Sequence, residues 1–186
     1  MPLPASAPSH DVALQATRNW VERAIIGLGL CPFAAPANLA GRLRIVVSPD
    51  SAPQAWLEFV AIQAQELAVA DPAALETVLA VLPDPAMAFE EFNDLLDPVE
   101  DLFDTMGLSD RLQTALFHPR FRFAGTDEHD VQNNVHRSPL PTLHLLRRES
   151  LDSVAPERVA EIIERNERRL GALGDAGWRA LLDRGD

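Results

Sequence analysis

Lysine and tyrosine are missing from this 186-residue chain, and cysteine occurs once. Without lysine there is no P-loop lysine to hold a phosphate and no amine to form a Schiff base. Without tyrosine there is no phenolic general acid. A single thiol, Cys31, excludes an internal disulfide and any multi-cysteine metal site. No apolar run approaches the roughly 18 residues of a membrane-spanning helix. The first residues, MPLPASAPSH, lack the positive flank and apolar core of a signal peptide. Residues 1–10 therefore read as a disordered tail and residues 11–186 as a single domain of a cytoplasmic protein without a membrane partner.

All sixteen basic residues are arginine, and the net charge is −12. Such a balance argues against nucleic acid, whose binding depends on neutralising phosphates. The charge is uneven: Ile45 to Asp110 holds fourteen acids and no base, whereas Arg111 to Ser150 holds six arginines and four acids. A mildly positive segment beside a strongly negative one suits intramolecular pairing, or an anionic small molecule or peptide held on the positive part.

Helical spacing of Ala13, Ala16, Trp20, Ala24 and Leu28 predicts a helix over 11–28, with Ser9 or Asp11 capping its start. The segment LCPFAAPANLAG reads as a turn-rich loop. Leu43 to Val47 and Thr77 to Leu82 read as strands, each closed by a proline-containing turn. Pro53 opens a helix that runs to about Ala70. Met87 to Met106 carries an apolar stripe, with Pro98 marking a kink or break. The acids of that helix lie opposite its stripe and form a solvated face. Ser109 to Phe117 is ambiguous between helix and strand. Phe117 to Phe123 alternates like a strand, with His118, Arg120 and Arg122 on one face. Leu140 to Leu146 reads as the last strand, followed by helices over 156–170 and 176–182. The fold class expected is α+β, with a mixed or antiparallel sheet of about four to five strands packed by helices.

Ionisable and amide side chains concentrate between Leu116 and Ser150, which holds four of the five histidines and the only Asn-Asn pair. Three cations on one face, His118, Arg120 and Arg122, need either an anion or nearby carboxylates, so the strand is an anion site or a salt-bridged surface. The loop TDEHDVQNNVHRSP is too polar for a core element. Its Asp130, Asn133, Asn134 and His136 suit a cation, a substrate, or the capping of neighbouring backbone. It contains no metal-ligand spacing of the HExxH or HxH kind. His144 among leucines is a hydrogen-bonded core residue or, near Asp130 or Cys31, a general base. Cys31 is a small buried hydrophobe, a nucleophile, or a haem or metal ligand.

Several segments together carry a resemblance: Trp20-Val21 running into GLGLCPFA, then ALFHPRFRFAG, then Asp130, Asn133 and RSPLPTLHLLRRES. With this order and spacing, over roughly residues 12 to 152, the chain resembles a bacterial family catalogued as domain of unknown function 1415. The family pattern has Asn where His136 stands and commonly an aromatic at Leu140. The resemblance implies no activity. It points to Cys31, Pro32, His118, Pro119, Asp130, Asn133, Arg137, Ser138, Pro139 and His144.

The expectation is a small enzyme acting on an anionic small molecule or peptide near Cys31. Its catalytic residues would be Cys31, His118, Asp130 and His144, and its substrate-binding residues Arg120, Asn133, Arg137 and Ser138. No cofactor is assigned. A protein-binding module that exposes residues 87–106, or a haem- or metal-binding protein using Cys31 and a histidine, are the competing readings. Each places function in side chains whose spatial proximity the sequence does not define.

Overall fold

In a computed structural model, residues 7–152 and 155–183 are described. Most of the segment expected to be a tail, residues 1–6, lies outside them. Helix α1 (His10–Trp20) starts one residue earlier than expected because the Ser9 hydroxyl accepts the Val12 N–H at 3.4 Å. It buries Ala13, Thr17 and Trp20 and then widens into a π-helix, Val21–Ile26, rather than continuing as one α-helix to Leu28. The expected loop after it contains a short helix, α2 (Ala34–Leu39), followed by β1 (Leu43–Val47).

Helix α3 (Pro53–Val69) begins at Pro53, where the missing N–H costs nothing. Strand β2 (Thr77–Val81) is buried throughout. The segment from Met87 is two helices, α4 (Phe89–Asn93) and α5 (Leu96–Met106). Their break falls at Asp94–Leu95, just before Pro98, whose ring obstructs the carbonyl four residues back. Glu90, Glu91, Asp94, Asp97, Glu100, Asp101 and Asp104 are all exposed, as the solvated-face reading requires. Phe92, Val99 and Phe103 are buried in the core, so the apolar stripe is not available as an exposed docking patch.

Strand β3 (Leu112–Phe117) resolves the ambiguous segment and ends where the sequence suggested that a strand continued. The alternation of Phe117 to Phe123 is therefore not a strand face. Pro119 has no N–H to give a ladder, and a turn closed by Phe121 N–H to His118 O at 3.0 Å replaces it. A 3₁₀ helix spans Val131–His136, and β4 (Thr142–Arg147) starts only after Pro141. Helices α6 (Arg148–Asp152) and α7 (Pro156–Asp183) close the described chain. Helix α7 breaks at Gly174, whose φ of 63° lies in the left-handed region, and so keeps the two-helix pattern read from the sequence.

The four strands form one mixed sheet in the order β1-β2-β4-β3; β1 and β2 are parallel, the other pairs antiparallel. Alternation along the strands sorts side chains to two faces. Val78, Ala80, Leu112, Leu116, Leu143 and Leu145 pack under α3, α4 and α5 with Trp56, Phe92 and Phe103. Leu43, Ile45, Leu79 and Phe117 face Trp20, the π-helix, and Leu170 and Trp178 of α7. The fold is α+β, with helices on both sides of the sheet. Among the described residues no helix is long and apolar enough to cross a membrane.

Candidate functional site

The face of the sheet opposite α3 is not filled. A cavity of about 180 Å³ lies between Leu43, Leu79, Phe117 and His144 on the sheet and Trp20, Val21 and Ile25 above it. Leu30, Cys31 and Ala34 close one side, and Val135 and His136 of the 3₁₀ helix close the other. Two of the walls are unusual backbone. A π-helical turn carries one residue more per turn than an α-helix and is found mostly at functional sites. Gly29, at φ +60°, ends it and turns the chain toward Cys31.

Helix α7 clamps this turn. Arg165 Nη2 donates to Gly29 O, and Asn166 Nδ2 to Leu30 O, both at 2.8 Å; Arg169 Nη1 donates to Leu28 O. These carbonyls belong to the turn that follows the π-helix and leads into Cys31. The polar, arginine-rich face read in the sequence is therefore a clamp on the segment leading into Cys31.

His144 comes from the middle of β4, where alternation sends Leu143 and Leu145 to the other face. In register it stands opposite Leu79 and Ala115, with Thr77 one diagonal step away on the same face. Thr77 Oγ1 lies 2.6 Å from His144 Nε2 and 2.7 Å from Leu145 O. A carbonyl only accepts, so the one hydroxyl proton goes to Leu145 O and the imidazole must donate from Nε2. His144 is thus the neutral Nε2–H tautomer; among the described residues its Nδ1 has no hydrogen-bond partner, and the ring lines the cavity. Burial, then the neighbouring His136, push its pKa down to about 4.

His136 is held the opposite way round. Its Nδ1 lies 2.9 Å from Leu116 O and must donate to it, so Nε2 carries the lone pair, which has no partner among the described residues. The ring is stacked between Phe117 and Phe121, at centroid distances of 5.1 and 4.7 Å. Burial lowers its pKa as well. The sequence names His136 among the loop residues that suit a cation, a substrate or a cap, but not among the expected catalytic or substrate-binding residues. The aromatic spacing of Phe117 and Phe121 was visible, but not that the ring would enter between them.

Cys31 is half-buried and borders both this cavity and a smaller one, of about 30 Å³, on the far side of Leu43. His144 borders both as well. Burial raises the thiol pKa, and the N–H groups of Phe33 and Ala34 only partly oppose this. The resting pair is a neutral thiol and a neutral imidazole.

The other residues singled out by sequence lie elsewhere and hold structure. His118 is 1% exposed, under Phe89 and Phe92. Its Nε2 donates to Met87 O at 3.2 Å and its Nδ1 accepts from Arg120 N at 3.0 Å, so neither nitrogen is free. Burial first, and then Arg120, keep its pKa at about 4. Arg120 Nη2 reaches Met87 O at 2.8 Å, and Arg122 is exposed. Asp130 caps the 3₁₀ helix by accepting Gln132 N–H at 2.9 Å. Ser138 is buried and donates to Leu140 O. Arg137 commits its three nitrogens to Phe121 O, Asn134 Oδ1 and Glu128 O. Among the described residues no three His, Cys, Asp or Glu side chains converge on a metal position.

Asn133 is fully buried. Its Oδ1 accepts Phe123 N–H at 3.0 Å and the Thr126 hydroxyl at 2.9 Å, and its Nδ2 donates to Asp127 O at 2.8 Å. Replacing it by alanine strands the Phe123 N–H, whereas the Thr126 hydroxyl keeps Phe123 O and the Asp127 carbonyl keeps the Asp130 N–H. Asn133→Ala is expected to lower unfolding free energy by about 2 kcal/mol in urea titrations; a change under about 0.5 kcal/mol would show that the loop is held by other means.

No curated protein and no solved structure matches the chain. The sequence model of one family, described as "Protein of unknown function (DUF1415)", matches residues 12–180, which include every wall of the cavity and every loop-holding residue above. The chain belongs to this family.

Proposed function

We propose that the cavity is the active site of a small enzyme in which His144 accepts a proton through Nδ1 and Cys31 is the nucleophile beside it. One observation carries this reading: an imidazole of fixed tautomer, its Nδ1 without a partner among the described residues, lines the same apolar cavity as a thiol. A low imidazole pKa and a raised thiol pKa argue against a resting thiolate–imidazolium pair. They are compatible with attack in which the Sγ proton passes to Nδ1 as the new bond to sulfur forms. Thr77 is a positioning residue, since it holds the tautomer through Nε2. An anionic substrate, expected from the arginines, lacks support here because the nitrogens of Arg137 are already bonded within the loop.

The neutrality of both groups also favours a second reading, a binding cavity without chemistry. Acrylamide, a small uncharged electrophile, separates the two. In the enzyme, Cys31 alkylation between pH 6 and 8 exceeds the rate set by its thiolate fraction, and His144→Phe lowers that rate at least tenfold. Thr77→Val lowers it less, because Nδ1 is then protonated part of the time. Alkylation that tracks the thiolate fraction alone in all three folded proteins leaves only the binding cavity.

A further inference from the structure

Taking the cavity as the functional site, we infer that its ligand is a small neutral planar molecule carrying N–H donors, as an amide does, for the acceptor nitrogens of His144 and His136. Size comes first. A cavity of about 180 Å³ is smaller than the ~300 Å³ at which drug-sized pockets begin and close to the ~150 Å³ that accommodates benzene. One ring with one substituent is the natural limit.

Polarity comes second. No Asp, Glu or Arg side chain lines the walls. A charged ligand would be stripped of water and given no counter-charge, which is strongly unfavourable in an apolar site. Both imidazoles that line the cavity keep one acceptor nitrogen with no partner among the described residues, each forced to be so by a carbonyl or hydroxyl on the other nitrogen. Both rings are fixed, one by Thr77 and one between two phenylalanines, so the acceptors are preorganised rather than adaptable. A site whose polar groups are two acceptors is matched by a neutral group that donates, and a primary amide carries two N–H donors in one plane.

An anion could be accepted only by first protonating a histidine. At pH 7, a group with a pKa of about 4 resists this roughly a thousandfold.

Three single-ring probes test the inference by calorimetry at pH 7.5: benzamide, its isostere benzoate, and toluene. Benzamide is expected to bind at least tenfold more tightly than toluene and at least a hundredfold more tightly than benzoate. In His136→Phe and His144→Phe, checked for folding by circular dichroism, the advantage of benzamide over toluene should fall at least threefold. Benzoate binding as well as benzamide, toluene binding as well as benzamide, or no binding of any probe to folded protein would each overturn the inference. The ligand class and the enzyme reading therefore fail separately: acrylamide chemistry that ignores His144 removes the enzyme and leaves the ranking intact. A reversed ranking with His144-dependent alkylation removes only the ligand class.

Discussion

Lowering the pH from 6.5 to 4 is expected to destabilise the fold by roughly 6 kcal/mol, about 3 kcal/mol for each of two histidines. His118 and His144 both have folded pKa values of about 4, set chiefly by burial, against an ordinary value of 6.5. Below 6.5 the unfolded chain binds protons that the folded chain refuses, so stability falls as pH falls. It is fully present above 6.5 and lost progressively down to about 4. The expected slope is about 2.7 kcal/mol per pH unit while both groups resist protonation. A typical domain has only about 5–15 kcal/mol in total, so acid unfolding should begin above the carboxylate range. His136 is shifted the same way by burial and adds to the loss. Urea unfolding at pH 7.5 and 5, with side-chain NMR titration of the histidines, checks it. Imidazoles that titrate between pH 6 and 7, or a stability unchanged between those two conditions, would refute it.

Leu145→Ala is expected to cost about 3–4 kcal/mol, within the range for fully buried leucines. Leu145 is 0% exposed, between Val78 and Thr114 in register, and packs under α3 and α5. Truncation opens a void that two strands and a helix layer cannot close without moving together. A lowered melting temperature of roughly 10 °C should accompany it. Because alternation points Leu145 away from His144, acrylamide reactivity of Cys31 in the folded variant should change little. A large loss of that reactivity with little loss of stability would mean that the two faces of β4 have been assigned the wrong way round.

Much of the fold was legible because its signals are local. Pro53 marks a helix start, the β-branched runs at Leu43 and Thr77 mark strands, and the apolar stripe after Met87 marks a buried helical face. Where local signals conflicted, backbone chemistry settled the outcome. Phe117 to Phe123 has the alternation of a strand, yet Pro119 cannot donate to a ladder and the chain turns at His118. The π-helix had no signal in periodicity, since one extra residue in a turn shifts the pattern by less than a sequence window resolves. Helix α2 was hidden by prolines at Pro32 and Pro36 that read as loop.

The candidate site divides along the same line. Cys31 and His144 were named from residue type and resemblance, and both border the cavity. His118, Arg137 and Asn133 have equally suggestive chemistry, but their polar atoms are consumed by Met87, Phe121 and Asp127. Residue type alone does not tell a catalytic imidazole from a structural one. The difference is whether a nitrogen is left over, and that depends on partners far away in the chain.

By itself the sequence determined the absence of lysine and tyrosine chemistry, the strand that carries His144, and the family. Tertiary structure decided which histidines keep a lone pair, which arginines are spent on carbonyls, and that no Asp, Glu or Arg side chain lines the cavity beside His144. Backbone conformation follows from neighbours within a few residues, whereas the protonation and hydrogen bonding of a buried side chain follow from whatever the fold brings against it: Thr77 for His144, Leu116 for His136, Met87 for His118.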